Sequence, residues 1–175
     1  PLKKVLLLTL CLTTPALAQD PKLTEGFAEG FTFHSVFAKG HRIDPDGATV
    51  YAQNGAGNTH IAAVRPGAAP CVFISSSLNL NEGIAGTPIV MLEETYDLRN
   101  ASFVADPKHQ FAPPGGVYLI MKGRNILCRS STSGGAGKLA RTAQCEDSID
   151  VTIEPQMMPA FTATSARLKT LCNWK

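Results

Sequence analysis

The sequence predicts a β-rich α+β fold, with a mostly antiparallel sheet, an N-terminal helix and a C-terminal helix packed on it. Three observations carry this expectation. Ala48 to Gln53 and Thr59 to Arg65 alternate in polarity on either side of the turn cluster Asn54-Gly55-Ala56-Gly57-Asn58, the pattern of a β-hairpin. The connections between extended stretches are short, which favours antiparallel pairing over crossovers. Phe161, Ser165, Leu168 and Cys172 recur at helical spacing, so Ala160 to Trp174 reads as a helix.

In chain order, Leu23, Phe27, Phe31 and His34 share one helical face over Pro21 to Lys39, with Pro21 at the start and Gly40 after the end. Alternation of Phe31, Phe33, Ser35 and Phe37 is the competing strand pattern, and Gly26 and Gly30 weaken the helix. Asp44-Pro45-Asp46-Gly47 has the residues of a type I turn in the right order. Cys71 to Ser76 reads as a strand, and Leu78 to Thr87 as a loop. Pro88 to Val104 is long enough for two strands or one bent strand. Asp106 to Gly116, with three prolines and two glycines, reads as a surface connection. Val117 to Met121 and Arg124 to Arg129 are expected to flank a turn at Lys122-Gly123. Ser130 to Gly137 reads as a loop, followed by strands near Leu139 to Cys145 and Ile149 to Glu154.

Residues 1–18 have the makeup of a secretory signal peptide. Lys3 and Lys4 precede an apolar run from Val5 to Leu12, and Ala16-Leu17-Ala18 offers a small-x-small cleavage site. The run is far short of the ~20 residues that span a bilayer, so no stable anchor is expected after cleavage. Cleavage after Ala18 leaves residues 19–175 as one disulfide-tied domain, periplasmic or secreted. The formal net charge of +2 comes entirely from Lys3 and Lys4, so the mature chain is neutral. A general nucleic-acid binder would carry a large positive excess, and nucleic acid is therefore not an expected partner.

Cleavage also discards Cys11 and leaves Cys71, Cys128, Cys145 and Cys172, an even set suited to disulfides in an oxidising compartment. A hairpin joining the strands at Cys128 and Cys145 sets those two opposite one another. Ser130 then faces Ala143, Thr132 faces Arg141, and Gly135 to Lys138 form the tip. Cys71–Cys172 follows by elimination, and would tie the C-terminal helix to a strand.

No acidic residue occurs between Asp106 and Glu146, while Lys108, Lys122, Arg124, Arg129, Lys138 and Arg141 do. Clustered guanidinium and ammonium groups beside a Ser/Gly-rich segment could hold a phosphate, sulfate or carboxylate. Lys122, Arg124, Arg129, Lys138 and Arg141 are the candidate ligand-binding residues, weighed against an ordinary solvated edge whose charges discourage aggregation. Ser133 to Lys138 lacks the opening glycine and the closing Ser or Thr of a nucleotide-binding loop.

His34, His41, His60 and His109 form no H-x-H or H-E-x-x-H pair, so no metal site and no cofactor is expected. Glu93 and Glu94, adjacent on a strand, should point to opposite faces. No G-x-S-x-G or S-x-x-K motif is present. The expectation is therefore an exported binding or interaction protein, uncertain as an enzyme and leaning against it. Its partner would be a protein or an anionic ligand, and its oligomeric state is open. The alternative is a hydrolase in which a histidine meets Glu94 or Asp97 only in the fold.

Overall fold

A computed structural model describes residues 20–32, 40–55, 58–81, 89–135 and 138–174. The expected signal peptide, His34 and the rest of residues 33–39 lie outside the described residues, and the first helix predicted to reach Lys39 stops at Phe31, because Thr32 is already extended. The elements in chain order are α1 (Pro21–Phe31), β1 (His41–Ile43), β2 (Thr49–Gly55), β3 (Asn58–Pro66), β4 (Val72–Asn81) and β5 (Ile89–Asp97). Then follow β6 (Ser102–Asp106), β7 (Val117–Gly135), β8 (Lys138–Ile153), a single 3₁₀ turn at Pro155–Met157, and α2 (Met158–Leu171).

All strands pair antiparallel with their neighbours, running from β1 through β5 to β7. β7 is the spine of the far side. One of its edges takes β6 along Tyr118 to Lys122 and β5 along Leu127 to Gly134, and its other edge takes β8 throughout. The hairpin expected over Ala48 to Arg65 is formed by β2 and β3, with residues 56–57 of its turn outside the described residues, and the expected turn at Asp44 to Gly47 joins β1 to β2. The amide of Gly47, at φ +80°, donates to the Asp44 carbonyl at 2.9 Å.

Helix α1 starts where Asp20 accepts from the Lys22 amide at 2.9 Å, with Pro21 in the first turn, where its missing N–H costs nothing. Leu23, Phe27 and Phe31 are buried on its inner face. The Phe27 ring stacks on Phe73 with centroids 4.1 Å apart and meets Tyr96 edge-on at 5.3 Å. Each such ring, fully buried, contributes about 2–3 kcal/mol by removal from water. Tyr51, Ala62, Val64, Leu119, Met121, Leu127, Ile149 and Ile153 complete the helix-side face of the sheet. The glycines that weaken α1 as an isolated helix bring it close to α2. A Cβ on Gly30 would lie 2.7 Å from the Phe161 backbone.

The end of α2 is fastened to the sheet. Cys172 is bonded to Cys71, Asn100 donates its amide to the Cys172 carbonyl at 2.9 Å, and the Trp174 indole donates to the Leu98 carbonyl at 2.8 Å. The second disulfide joins Cys128 to Cys145, directly opposed on β7 and β8. Around it Ser130 pairs with Ala143 and Thr132 with Arg141, and Gly135 closes on Lys138, the register expected from the cysteines.

Four expectations need correction. Lys122-Gly123 is no hairpin turn, and Ser130 to Gly135 is no loop, because both belong to the unbroken strand β7. A two-residue hairpin favours residues that accept positive φ, such as Asn-Gly, and Lys-Gly offers one at most. The left-handed residue is instead Asn125, at φ +49°, inside a bulge where residues 123–126 of β7 face the single Asp147 of β8. The Asn125 amide donates to the Asp147 carboxylate at 2.6 Å. The serine-rich stretch is held as strand by ladders on both sides, and Ser131 and Thr142 share a hydroxyl hydrogen bond of 2.6 Å. Leu78 to Asn81 extends β4 through pairing with β3, and residues 82–88 of that expected loop lie outside the described residues. Likewise Leu139 to Cys145 and Ile149 to Glu154 are parts of one strand, β8, which ends at Ile153.

Candidate functional site

Of the five basic candidates, the three whose side chains are described, Lys122, Arg124 and Arg129, do not share one face. Met121 and Leu127 both face the helices and are buried. Alternation then puts Lys122 on the outer face and Arg129 on the helix-side face. Arg124 is exposed in the bulge. Lys138 and Arg141 are placed by backbone register opposite Gly135 and Thr132, and their side chains lie outside the described residues.

Arg129 is also spoken for. Its Nε donates to Glu94 at 2.8 Å and its Nη1 to Glu146 at 2.6 Å. The hydrogen bond to Glu94 raises the guanidinium pKa, so it stays charged. Glu94 in turn accepts from the Tyr96 phenol at 2.7 Å. Burial, reinforced by the Glu94 charge, pushes that phenol well above its ordinary value. Arg42, Arg65, Arg99 and Arg167 pair with Asp44, Glu93, Asp97 and Asp20. Among the described residues neither Lys122 nor Arg124 has an ion-pair partner.

Lys122 borders an unusual piece of the outer face. Two residues back on β7 is Ile120, opposite Val104 of β6, which is 61% exposed. Two residues further back, the Tyr118 ring stacks on His109 at 4.1 Å and lies 5.9 Å from Phe111, itself 62% exposed. The Tyr118 phenol donates to Asp150 at 3.1 Å. Elsewhere on the outer face, the Cys128–Cys145 bond floors an open hollow beside Glu93, Thr95 and Ser130.

Glu93 and Glu94 point to opposite faces, Glu93 to Arg65 and Glu94 to Arg129. Asp97 forms a two-point pair with Arg99, at 2.8 and 2.6 Å, whose hydrogen bonds hold its carboxyl below the usual range. Both carboxylates of the expected histidine dyad thus meet arginines. Among the described residues, His41 lies against two carboxylates.

Its Nε2 lies 2.8 Å from Glu25 Oε1 and its Nδ1 lies 3.4 Å from Glu29 Oε1. Glu25 and Glu29 are one helical turn apart on α1, on the side away from buried Phe27 and Phe31. β1 brings His41 to them, with its ring centroid 5.4 Å from that of Tyr51. Burial, then the charges of Glu29 and Glu25, raise the Tyr51 phenol. The donor atoms of Glu25, Glu29 and His41 all lie within 4.8 Å of one another, so the three could hold a metal ion. The spacing of four between Glu25 and Glu29 was the available sequence signal. Nothing in sequence spacing brings His41 to them.

This arrangement does not suit general-base catalysis. A catalytic imidazole uses one nitrogen for its orienting carboxylate and turns the other to a nucleophile or water. Here carboxylates face both nitrogens. No family model, curated protein or solved structure matches the chain.

Proposed function

We propose that the protein is an exported binding protein that engages an anionic partner through the outer face beside the β7 bulge. The observation that supports this reading most is the contrast among its cations. Five arginines are matched by carboxylates, whereas among the described residues Lys122 and Arg124 have no ion-pair partner, and Lys122 shares the outer face with exposed Val104. An unmatched ammonium and guanidinium offer point attraction and fork-shaped donors to a carboxylate, sulfate or phosphate. The neighbouring apolar and aromatic side chains, Val104, Ile120, Phe111 and Tyr118, supply contact area that a solvated edge does not need. Two disulfides fit an oxidising compartment, and no helix among the described residues is long and apolar enough to cross a membrane.

The test is retention on a sulfated polysaccharide matrix under a salt gradient. Lys122→Gln with Arg124→Gln should elute at clearly lower salt than the unaltered chain. Arg129→Gln should elute where the unaltered chain does, because its charge is already matched. Equal retention of the double variant would sink the reading.

A further inference from the structure

We propose that Glu25, Glu29 and His41 form a binding site for one divalent first-row transition cation, of which Zn²⁺ is the type. The two short contacts of His41 carry the argument. A neutral imidazole has a single N–H, so only one of its nitrogens can donate. The other must then turn a lone pair toward a carboxylate oxygen, at 2.8 or 3.4 Å. Either a second proton or a cation removes that repulsion.

The donor set selects the kind of ion. One nitrogen with two carboxylate oxygens suits zinc and its neighbours, while calcium and magnesium favour oxygen alone. Zinc bonds of about 2.0–2.2 Å place tetrahedral donors roughly 3.4 Å apart. The three donor atoms already lie within 4.8 Å of one another, so side-chain torsions suffice to close the set. The scaffold is firm. Phe27, between the two glutamates in sequence, is wholly buried, and Asp20 anchors the start of α1 to Arg167 of α2. His41, Glu25 and Glu29 keep side-chain exposures of 22%, 31% and 37%, which leaves the remaining coordination positions to water.

This inference stands apart from the anionic-partner face. The experiment is a calorimetric titration of the chelator-treated mature chain with ZnCl₂, alongside Glu25→Gln, Glu29→Gln, His41→Gln and the control His109→Gln. One equivalent should bind to the unaltered and control chains. Each cluster variant should lose at least about tenfold in affinity, the least that disturbing even an indirect partner of a metal ligand costs. Cobalt(II) bound to the unaltered chain should give a visible spectrum of nitrogen–oxygen coordination and be displaced by one equivalent of zinc, a readout that needs no variant. Absence of binding, full affinity in the cluster variants, or equal competition by calcium would overturn the site.

Discussion

Arg129 and His41 each sit between two glutamates, yet the surroundings ask different things of them. The guanidinium is held charged by its hydrogen bond to Glu94 and has donors to spare, so Glu94 and Glu146 are both satisfied at once. The imidazole has one donor when neutral and cannot serve Glu25 and Glu29 together. The first arrangement is complete within the chain, and the second gains from a cation. Counting charges alone would have ranked the basic stretch above the helix, and donor geometry reverses that order.

Crowding at the helix crossing should separate the two regions most. Gly30→Ala puts a Cβ against the Phe161 backbone and is expected to cost about 1–3 kcal/mol, as overpacking usually does. It should shift α1, and with it Glu25 and Glu29, and weaken zinc binding. Hydrogen exchange around Arg129 should stay unchanged. If thermal stability and zinc affinity both survive, α1 does not set the site.

Next in size is Arg129→Met, which leaves Glu94 against the buried Tyr96 phenol without its cation. A loss of about 1–2 kcal/mol in urea unfolding is expected, above the ~0–1 kcal/mol typical of exposed pairs because Glu94 is only 18% exposed. In metal-free protein His41→Gln should cost less. Equal losses would erase the distinction between the two sites.

Acid supplies the smallest effect. The hydrogen bonds from Arg99 and Arg167 hold the carboxyls of Asp97 and Asp20 below their ordinary value. Their contribution is present in full above the unfolded carboxylate range, near pH 4, and is lost as pH falls through the lower folded values. Arg99→Gln with Arg167→Gln should flatten this acid limb of the stability curve. An unaltered limb would show that these arginine pairs are electrostatically idle.

Local rules read well wherever a single segment decides its own shape. Asp44 to Gly47 turned as its residues require, and the opposition of Cys128 and Cys145 fixed the register of the hairpin around them. Alternation alone placed Glu93 and Glu94 on opposite faces. The continuity of β7 was not legible, because Ser130 to Gly135 become strand only through β5 and β8, partners distant in sequence or known only after folding. The same holds for the ion pairs. Arg129 looked available until strand register brought Glu94 to it across 35 positions. The cluster at His41 joins a helix face to a strand end, and periodicity within either element is silent about the other.

The fastening of Cys172 to Cys71 has a consequence for how the chain is made. These residues are 101 positions apart, and α1 packs on α2, the last of the described elements in chain order. Phe27 can be covered once β4 and β5 are made, whereas the Gly30 and Phe31 side of α1 is covered only when Phe161 has followed. During vectorial synthesis Cys71 meets Cys128 before it can meet Cys172. A chain truncated before Cys172 would leave Cys71 without the partner it has here and α1 without its neighbour helix.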